Sequence, residues 1–166
     1  LTLWAYSMLG ALGASVFVGV GLVGMALFDR RSVVYTILAF IPLSMGAAWM
    51  LGMMDLLEIN YNLANIVSLP LLLGIGIVYS VHIIHRHREE HPEDMFTVVR
   101  HTGGAVTLAA LTTMVGFGAL ITAAHGGARS VGITMVIGVA TCLLTAVVVL
   151  PALMKVVPWR FVDREA

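Results

Sequence analysis

Five long stretches of the chain contain no Asp, Glu, Lys, Arg or His, and this feature constrains the fold more than any other. The charge-free stretches are residues 1–28, 32–54, 59–81, 102–124 and 130–154. Each holds at least 20 residues, enough for an α-helix to cross a hydrocarbon layer about 30 Å thick. The pattern therefore predicts a protein that crosses a membrane several times.

The composition excludes the soluble alternatives. Apolar residues make up 60% of the 166 residues and charged residues 11%, whereas soluble domains average about 45–50% apolar and 25% charged. Neither a small globular core nor a disordered chain accounts for that much apolar surface. The stretches lack the alternation of barrel strands, so we expect an all-α transmembrane bundle.

The positions of the charged residues give the boundaries of the predicted helices. We expect the whole chain, residues 1–166, to be a partial transmembrane domain with spans at 6–28, 33–54, 62–84, 104–124 and 130–154. Pro92 suits a first helical turn and Gly103 a helix end, which predicts a short amphipathic helix over 92–102 on the cytoplasmic surface. The alternative for 92–102 is a solvated linker turn.

The basic residues predict the orientation in the membrane. Eight of the nine Lys and Arg side chains follow the first, third or fifth predicted span. Those three segments share one side, which the positive-inside rule places in the cytoplasm together with the C-terminus. The first span then starts outside, as in a piece of a longer protein with an external domain upstream.

Few polar side chains lie within the predicted spans, and none is Asp, Glu, Lys or Arg. Intramembrane carboxylates are the usual proton carriers of transporters. The remaining candidates for proton relay or coupling are Tyr79, Ser80, His82, Thr112 and Thr113. A histidine titrates near neutral pH, but His82 also fits the start of an interfacial basic cluster.

Small residues predict close contacts between helices. Gly74 and Gly76 lie in the third span, and Gly116 and Gly118 lie in the fourth. In the fourth span Ala105, Ala109, Thr112 or Thr113, and Gly116 share one face, where a neighbouring backbone can approach. Pro70 should bend the third span. Ordinary packing explains any single glycine equally well.

Several functions have no sequence support. The histidines lack the spacing of a zinc motif, and Cys142 is the one cysteine, so we expect no metal site. Phosphate-binding loops and a nucleophile–base pair are also absent from the sequence, so we expect no enzyme and no cofactor. The chain has no concentrated basic surface, which argues against nucleic-acid partners.

Motifs in the third to fifth spans resemble the resistance–nodulation–division (RND) superfamily of exporters, and within it the MMPL branch, which includes hopanoid-type lipid transporters. The likeness covers roughly residues 10–155. It is carried by Asn62-Leu-Ala-Asn65, Leu69-Pro-Leu-Leu-Leu-Gly-Ile-Gly-Ile-Val-Tyr-Ser-Val-His82, Arg86-His-Arg-Glu-Glu90, Gly103-Gly-Ala-Val106, Ala109-Ala-Leu-Thr-Thr-Met-Val-Gly-Phe-Gly118, His125, Arg129-Ser-Val-Gly132 and Leu150-Pro-Ala-Leu153.

The resemblance implies a place in a larger transporter. It implies the membrane helices of the second half of a twelve-helix proton-driven antiporter that exports lipids or other hydrophobic compounds. The implied partners are membrane lipids, the N-terminal half and extracytoplasmic domain of the same protein, and further copies in a homo-oligomer. The implied location is the bacterial cytoplasmic (inner) membrane.

The sequence departs from the family pattern at one position. In many MMPL-type relatives the Gly-x-Gly-x motif is followed by Asp and an aromatic residue, but here Val78 precedes Tyr79. Either the other half supplies the titrating group or this protein is not proton-driven. Thr112 and Thr113 match the family's Thr-Thr motif, which implies hydrogen bonds to a carboxylate on a partner helix.

A second hypothesis is a membrane module that does not transport. Sterol-sensing domains and secretion-assisting membrane subunits resemble RND helices, and loss of the carboxylate at position 78 would fit loss of pumping. In that case the helices would bind lipid or a partner protein.

Overall fold

A computed structural model describes residues 30–60, 62–90 and 95–156, and all of its regular elements are helical. They are α1 (Arg30–Leu56), α2 (Leu63–Ile66), α3 (Ser68–Glu90), α4 (Met95–Gly118), a 3₁₀ turn (Ala119–Thr122), α5 (Gly126–Leu144), a π-helical segment (Thr145–Val149) and α6 (Leu150–Val156). The all-α fold class is confirmed for these residues.

The helices long and apolar enough to cross a membrane agree with four predicted spans. Among the described residues they cover Val34–Leu56, Leu63–His87, Thr102–Thr122 and Gly126–Val156. Each overlaps its predicted counterpart from the second to the fifth. The predicted span over 6–28 lies outside the described residues, so the total of five stays a prediction.

The separate surface helix over 92–102 is not confirmed. Residues 95–102 form the beginning of α4, which continues through Gly103 instead of ending there. Thr107 Oγ1 donates a hydrogen bond to the Gly103 carbonyl at 2.7 Å. A chain entering an apolar layer must keep its backbone groups paired, and this requirement outweighs the weak helix propensity of glycine. Residues 92–94 lie outside the described part.

The third predicted span is interrupted near its beginning. Pro70 has no backbone N–H, so the Ile66 carbonyl loses its usual helical donor. The structure places the interruption at Val67, between α2 and α3. The flanking hydrogen bonds are long, at 3.2 Å from Ile66 N to Asn62 O and 3.4 Å from Leu71 N to Val67 O. The distortion expected from Pro70 therefore lies three residues before it.

Helix α5 lies at the centre of the described bundle. It packs against α1, α3 and α4, while α1 and α4 each also pack against α3. In the most apolar part of the span Gly126–Val156, 50% of the residues are buried. In the corresponding part of Thr102–Thr122 the buried share is only 11%. Helix α4 therefore presents most of its surface outwards.

A close contact joins α1, α3 and α5 at two glycines. A Cβ atom on Gly46 would lie 2.8 Å from Cys142 Cα, and one on Gly76 would lie 2.7 Å from Leu43 Cδ1. Thr141 Oγ1 also donates a buried hydrogen bond to the Gly46 carbonyl at 2.9 Å. We call Gly46, Gly76, Thr141 and Cys142 the glycine contact.

Replacing Gly46 should therefore destabilise the bundle. Gly46→Ala places a methyl group against the backbone of α5, and overpacking of this kind costs about 1–3 kcal/mol. Gly52→Ala is the matched control, since it lies on the same helix with no atom within 4 Å of the added Cβ. We expect the free energy of unfolding in detergent micelles to fall for Gly46→Ala only. Equal values for the two variants would contradict the glycine contact.

Candidate functional site

The structure brings together two of the five predicted coupling residues, Tyr79 of α3 and Thr113 of α4. Tyr79 is 4% exposed, and its hydroxyl lies near the Thr113 side chain. Thr113 Oγ1 donates a hydrogen bond to the Ala109 carbonyl at 2.9 Å, so its lone pairs can still accept a hydrogen bond. The Tyr79 hydroxyl makes no well-formed hydrogen bond to any described residue.

Ser80 adds a second buried hydroxyl beside Tyr79. It is 1% exposed, and its oxygen has no hydrogen-bond partner among the described residues. Ser80 follows Gly76 by one helical turn and so lies on the face that α3 turns towards the glycine contact. An unpaired hydroxyl in an apolar interior costs free energy, and in native structures such groups often mark functional positions.

The other candidates lie on the surface of the described bundle. His82 and Thr112 are both exposed, and Thr112 Oγ1 donates to the Leu108 carbonyl at 2.9 Å. Val78 is 44% exposed. Position 78, where the family pattern of the resemblance has Asp, is therefore on the open surface of α3.

The four predicted packing glycines have different surroundings. Gly76 lies in the glycine contact. A Cβ atom added to Gly118 would lie 3.9 Å from Val136 Cγ2. Gly74 and Gly116 have no described atom within 4 Å of that position. The small-residue face of α4 is likewise exposed at Ala105, Ala109, Thr112 and Gly116. A packing role for these open surfaces stays a prediction.

Sequence reasoning missed a polar cluster at the other end of α3. Asn62 Nδ2 donates to Ser130 Oγ at 2.7 Å, and Asn65 Nδ2 donates to the same oxygen at 3.0 Å. We call these three residues the clasp. The spacing of Asn62 and Asn65 is a recognisable capping pattern, and both residues form that cap. Nothing local in the sequence indicates Ser130 as their partner.

Metal binding has no structural support in the part of the chain that the structure describes. No group of three His, Cys, Asp or Glu side chains comes together there. Cys142 is buried in the glycine contact.

The sequence profile of the MMPL family covers residues 7–164. The chain belongs to the MMPL family. The RND/MMPL-type resemblance is thereby confirmed, as is a membrane location.

Similar proteins occur in archaea and bacteria. A membrane protein of Methanocaldococcus jannaschii is 32% identical, over 82% of this chain and 38% of its own length. The hopanoid transporters HpnN of Rhodopseudomonas palustris and Burkholderia multivorans are each 32% identical, over 70% and 69% of this chain and 13% of their own lengths. This MMPL chain therefore spans only part of each relative.

The hydroxyls of Tyr79 and Thr141 should contribute differently to stability. Tyr79→Phe removes an unpaired hydroxyl, so the free energy of unfolding in detergent should stay the same or rise. Thr141→Val removes the interhelical bond to Gly46 and should lower it by about 0.6 kcal/mol and at most about 1.7 kcal/mol. If Tyr79→Phe destabilised the protein as much as Thr141→Val, the Tyr79 hydroxyl would have a bonding partner in the native state.

Proposed function

We propose that this chain forms the membrane part of an RND/MMPL-type secondary transporter that exports lipids or other hydrophobic compounds. The observation that carries the proposal is a pair of buried hydroxyls on α3: Tyr79, which lies near Thr113, and Ser80, which lies on the face towards the glycine contact. Membership of the MMPL family and similarity to two hopanoid transporters support the same function.

The proposed energy source is a proton gradient that acts through the other half of the protein. No Asp or Glu lies in the predicted spans of this chain, and Val78 takes the position of the family carboxylate. A titrating group must then approach α3 and α4 from a partner helix. The open surfaces of Val78 and Thr112 provide the place for that approach.

The threonines could detect the protonation state of such a group. Both hydroxyls donate to their own helix, so their oxygens can accept a hydrogen bond from a protonated carboxyl. An ionised carboxylate only accepts, so each hydroxyl would have to rotate away from its carbonyl to pair with it. Proton binding would therefore change the contact between helices and shift the balance between two transporter states.

The proposed partners and location of the chain follow from the same hypothesis. Its partners would be membrane lipids, the N-terminal half and the extracytoplasmic domain of the same protein, and other copies in a homo-oligomer. The location would be a bacterial inner membrane, with the ends of α3 and α6 that carry Arg86 and Lys155 in the cytoplasm.

Val78 also supports a second candidate, a non-transporting module similar to sterol-sensing or secretion-assisting domains. Such a module needs no titratable group on α3. It would bind lipid or a partner protein through the open faces of α3 and α4, and neither the wild-type protein nor the variants below would export lipid.

Removing the paired threonine hydroxyls should impair export. We expect Thr112→Ala and Thr113→Ala to lower the export rate of a fluorescent lipid analogue from proteoliposomes at least about fivefold, the lower range of a coupling free energy. Thr107→Ala is the matched control, because Thr107 makes the same backbone bond on the same helix. If both variants exported the analogue at the wild-type rate at equal protein density, Thr112 and Thr113 would have no role in coupling.

Placing a carboxylate at position 78 should make export depend on pH. Val78→Asp adds a titrating group where relatives have one, whereas Val78→Asn adds a polar group of similar size that does not titrate. We expect the export rate between about pH 5 and 8 to change more steeply for Val78→Asp, because a partly desolvated carboxyl titrates above its usual pKa. Identical profiles for the two variants would argue against proton coupling at this surface.

A further inference from the structure

The clasp ties two distant parts of the chain together. Asn62 and Asn65 both donate to Ser130 Oγ, and Asn65 Nδ2 also donates to the Asn60 carbonyl at 3.0 Å. The Asn62 side chain in turn accepts from the backbone N–H groups of Ala64 and Asn65 at 3.0 and 2.9 Å. Helix α2 is therefore fastened to the beginning of α5 as well as capped.

The beginning of α5 is held equally closely on its other side. A Cβ atom on Gly132 would lie 2.8 Å from the Phe117 carbonyl oxygen and 3.0 Å from Ile121 N. One on Gly127 would lie 3.3 Å from Ala64 Cβ. The first turns of α5 thus fit between α2 and the 3₁₀ turn with little room for independent movement.

The regular helix is interrupted where these segments join α3 and α4. Val67 separates α2 from α3, and Pro70 removes one hydrogen bond across that junction. Helix α4 ends at Gly118, where the 3₁₀ turn begins. Short 3₁₀ turns are common at the ends of α-helices, so the junction at Gly118 is an ordinary helix ending, whereas the one at Val67 lies inside a membrane span.

Ser68 indicates that the junction before α3 is not fully satisfied in this arrangement. It is the first residue after the interruption and is completely buried. Its hydroxyl has no hydrogen-bond partner among the described residues. A small displacement of α2 relative to α3 would change the surroundings of this hydroxyl.

We propose that residues 62–66 and 119–132, termed the collar, move as one unit with the beginning of α5 relative to α3, through a hinge at Val67. The clasp and the contacts of Gly127 and Gly132 hold the collar together. The collar transmits a displacement of α5 to both loops at this end of the bundle. This proposal stands independently of what the protein transports.

Amide hydrogen exchange of the protein in lipid nanodiscs tests the collar. Ser130→Ala removes the shared acceptor of the clasp, and we expect exchange of the amides in 62–66 and 119–125 to accelerate roughly threefold to tenfold, as expected for one or two membrane-protein hydrogen bonds. Exchange in 71–87 and 104–117 should stay unchanged, because Val67 separates α3 from the collar and neither segment contains a residue of the clasp.

Two further variants separate the clasp from general loosening. Ser130→Thr keeps the hydroxyl and should restore slow exchange. Thr134→Val removes a buried hydroxyl from the same helix that bonds only to the Ser130 carbonyl, and it should leave 62–66 and 119–125 unchanged. If Ser130→Ala does not fold, Ser130→Cys retains a weaker acceptor and should give a smaller acceleration in the same two segments.

Three outcomes would overturn the proposal. Acceleration confined to 62–66 would mean that α2 frays alone. Acceleration that extends equally through 71–87 and 104–117 would mean that the whole bundle loosens. Unchanged exchange in all segments would mean that the clasp stabilises neither 62–66 nor 119–125.

Discussion

The close approach of α1, α3 and α5 at the glycine contact is the interaction on which the rest of the bundle depends. Between helices in lipid there is no hydrophobic driving force, so association relies on packing and on interhelical hydrogen bonds. Gly46 and Gly76 supply the packing, and Thr141 supplies the hydrogen bond. Because both α1 and α3 hold α5 at this contact, the contact fixes where the two ends of α5 lie.

This central arrangement connects the two polar regions of the protein. Helices α3 and α5 run in the same direction, since Asn65 meets Ser130, Leu72 meets Gly138 and Gly76 meets Cys142 in increasing order. The clasp supplies the first contact of this row, and Ser80 follows Gly76, in the last contact, by one turn. A shift of α5 along α3 would therefore alter both regions, which gives a physical route between the candidate coupling site and the collar.

The sequence predicted the spans well because a charged side chain in hydrocarbon is costly, so charge-free stretches indicate where helices cross. It could not predict which faces meet. Gly74 and Gly76 are equivalent in sequence, yet only Gly76 contacts another helix, because the rotation of α3 is set by α1 and α5. The same limit applies to Ser130, whose partners lie more than 60 residues away. The termination expected at Gly103 was wrong because backbone pairing in lipid outweighs a local glycine preference.

The π-helical segment Thr145–Val149 has a geometric effect on the last helix. Buried positions there recur every four residues, at Cys142, Ala146, Leu150 and Met154. In a regular α-helix each such step overshoots one full revolution by about 40°, and three steps would rotate Met154 out of the interior. The wider π turn absorbs part of this excess angle. Gaining or losing a single residue at this turn would therefore change the phase of the final two turns and leave the preceding contacts in place.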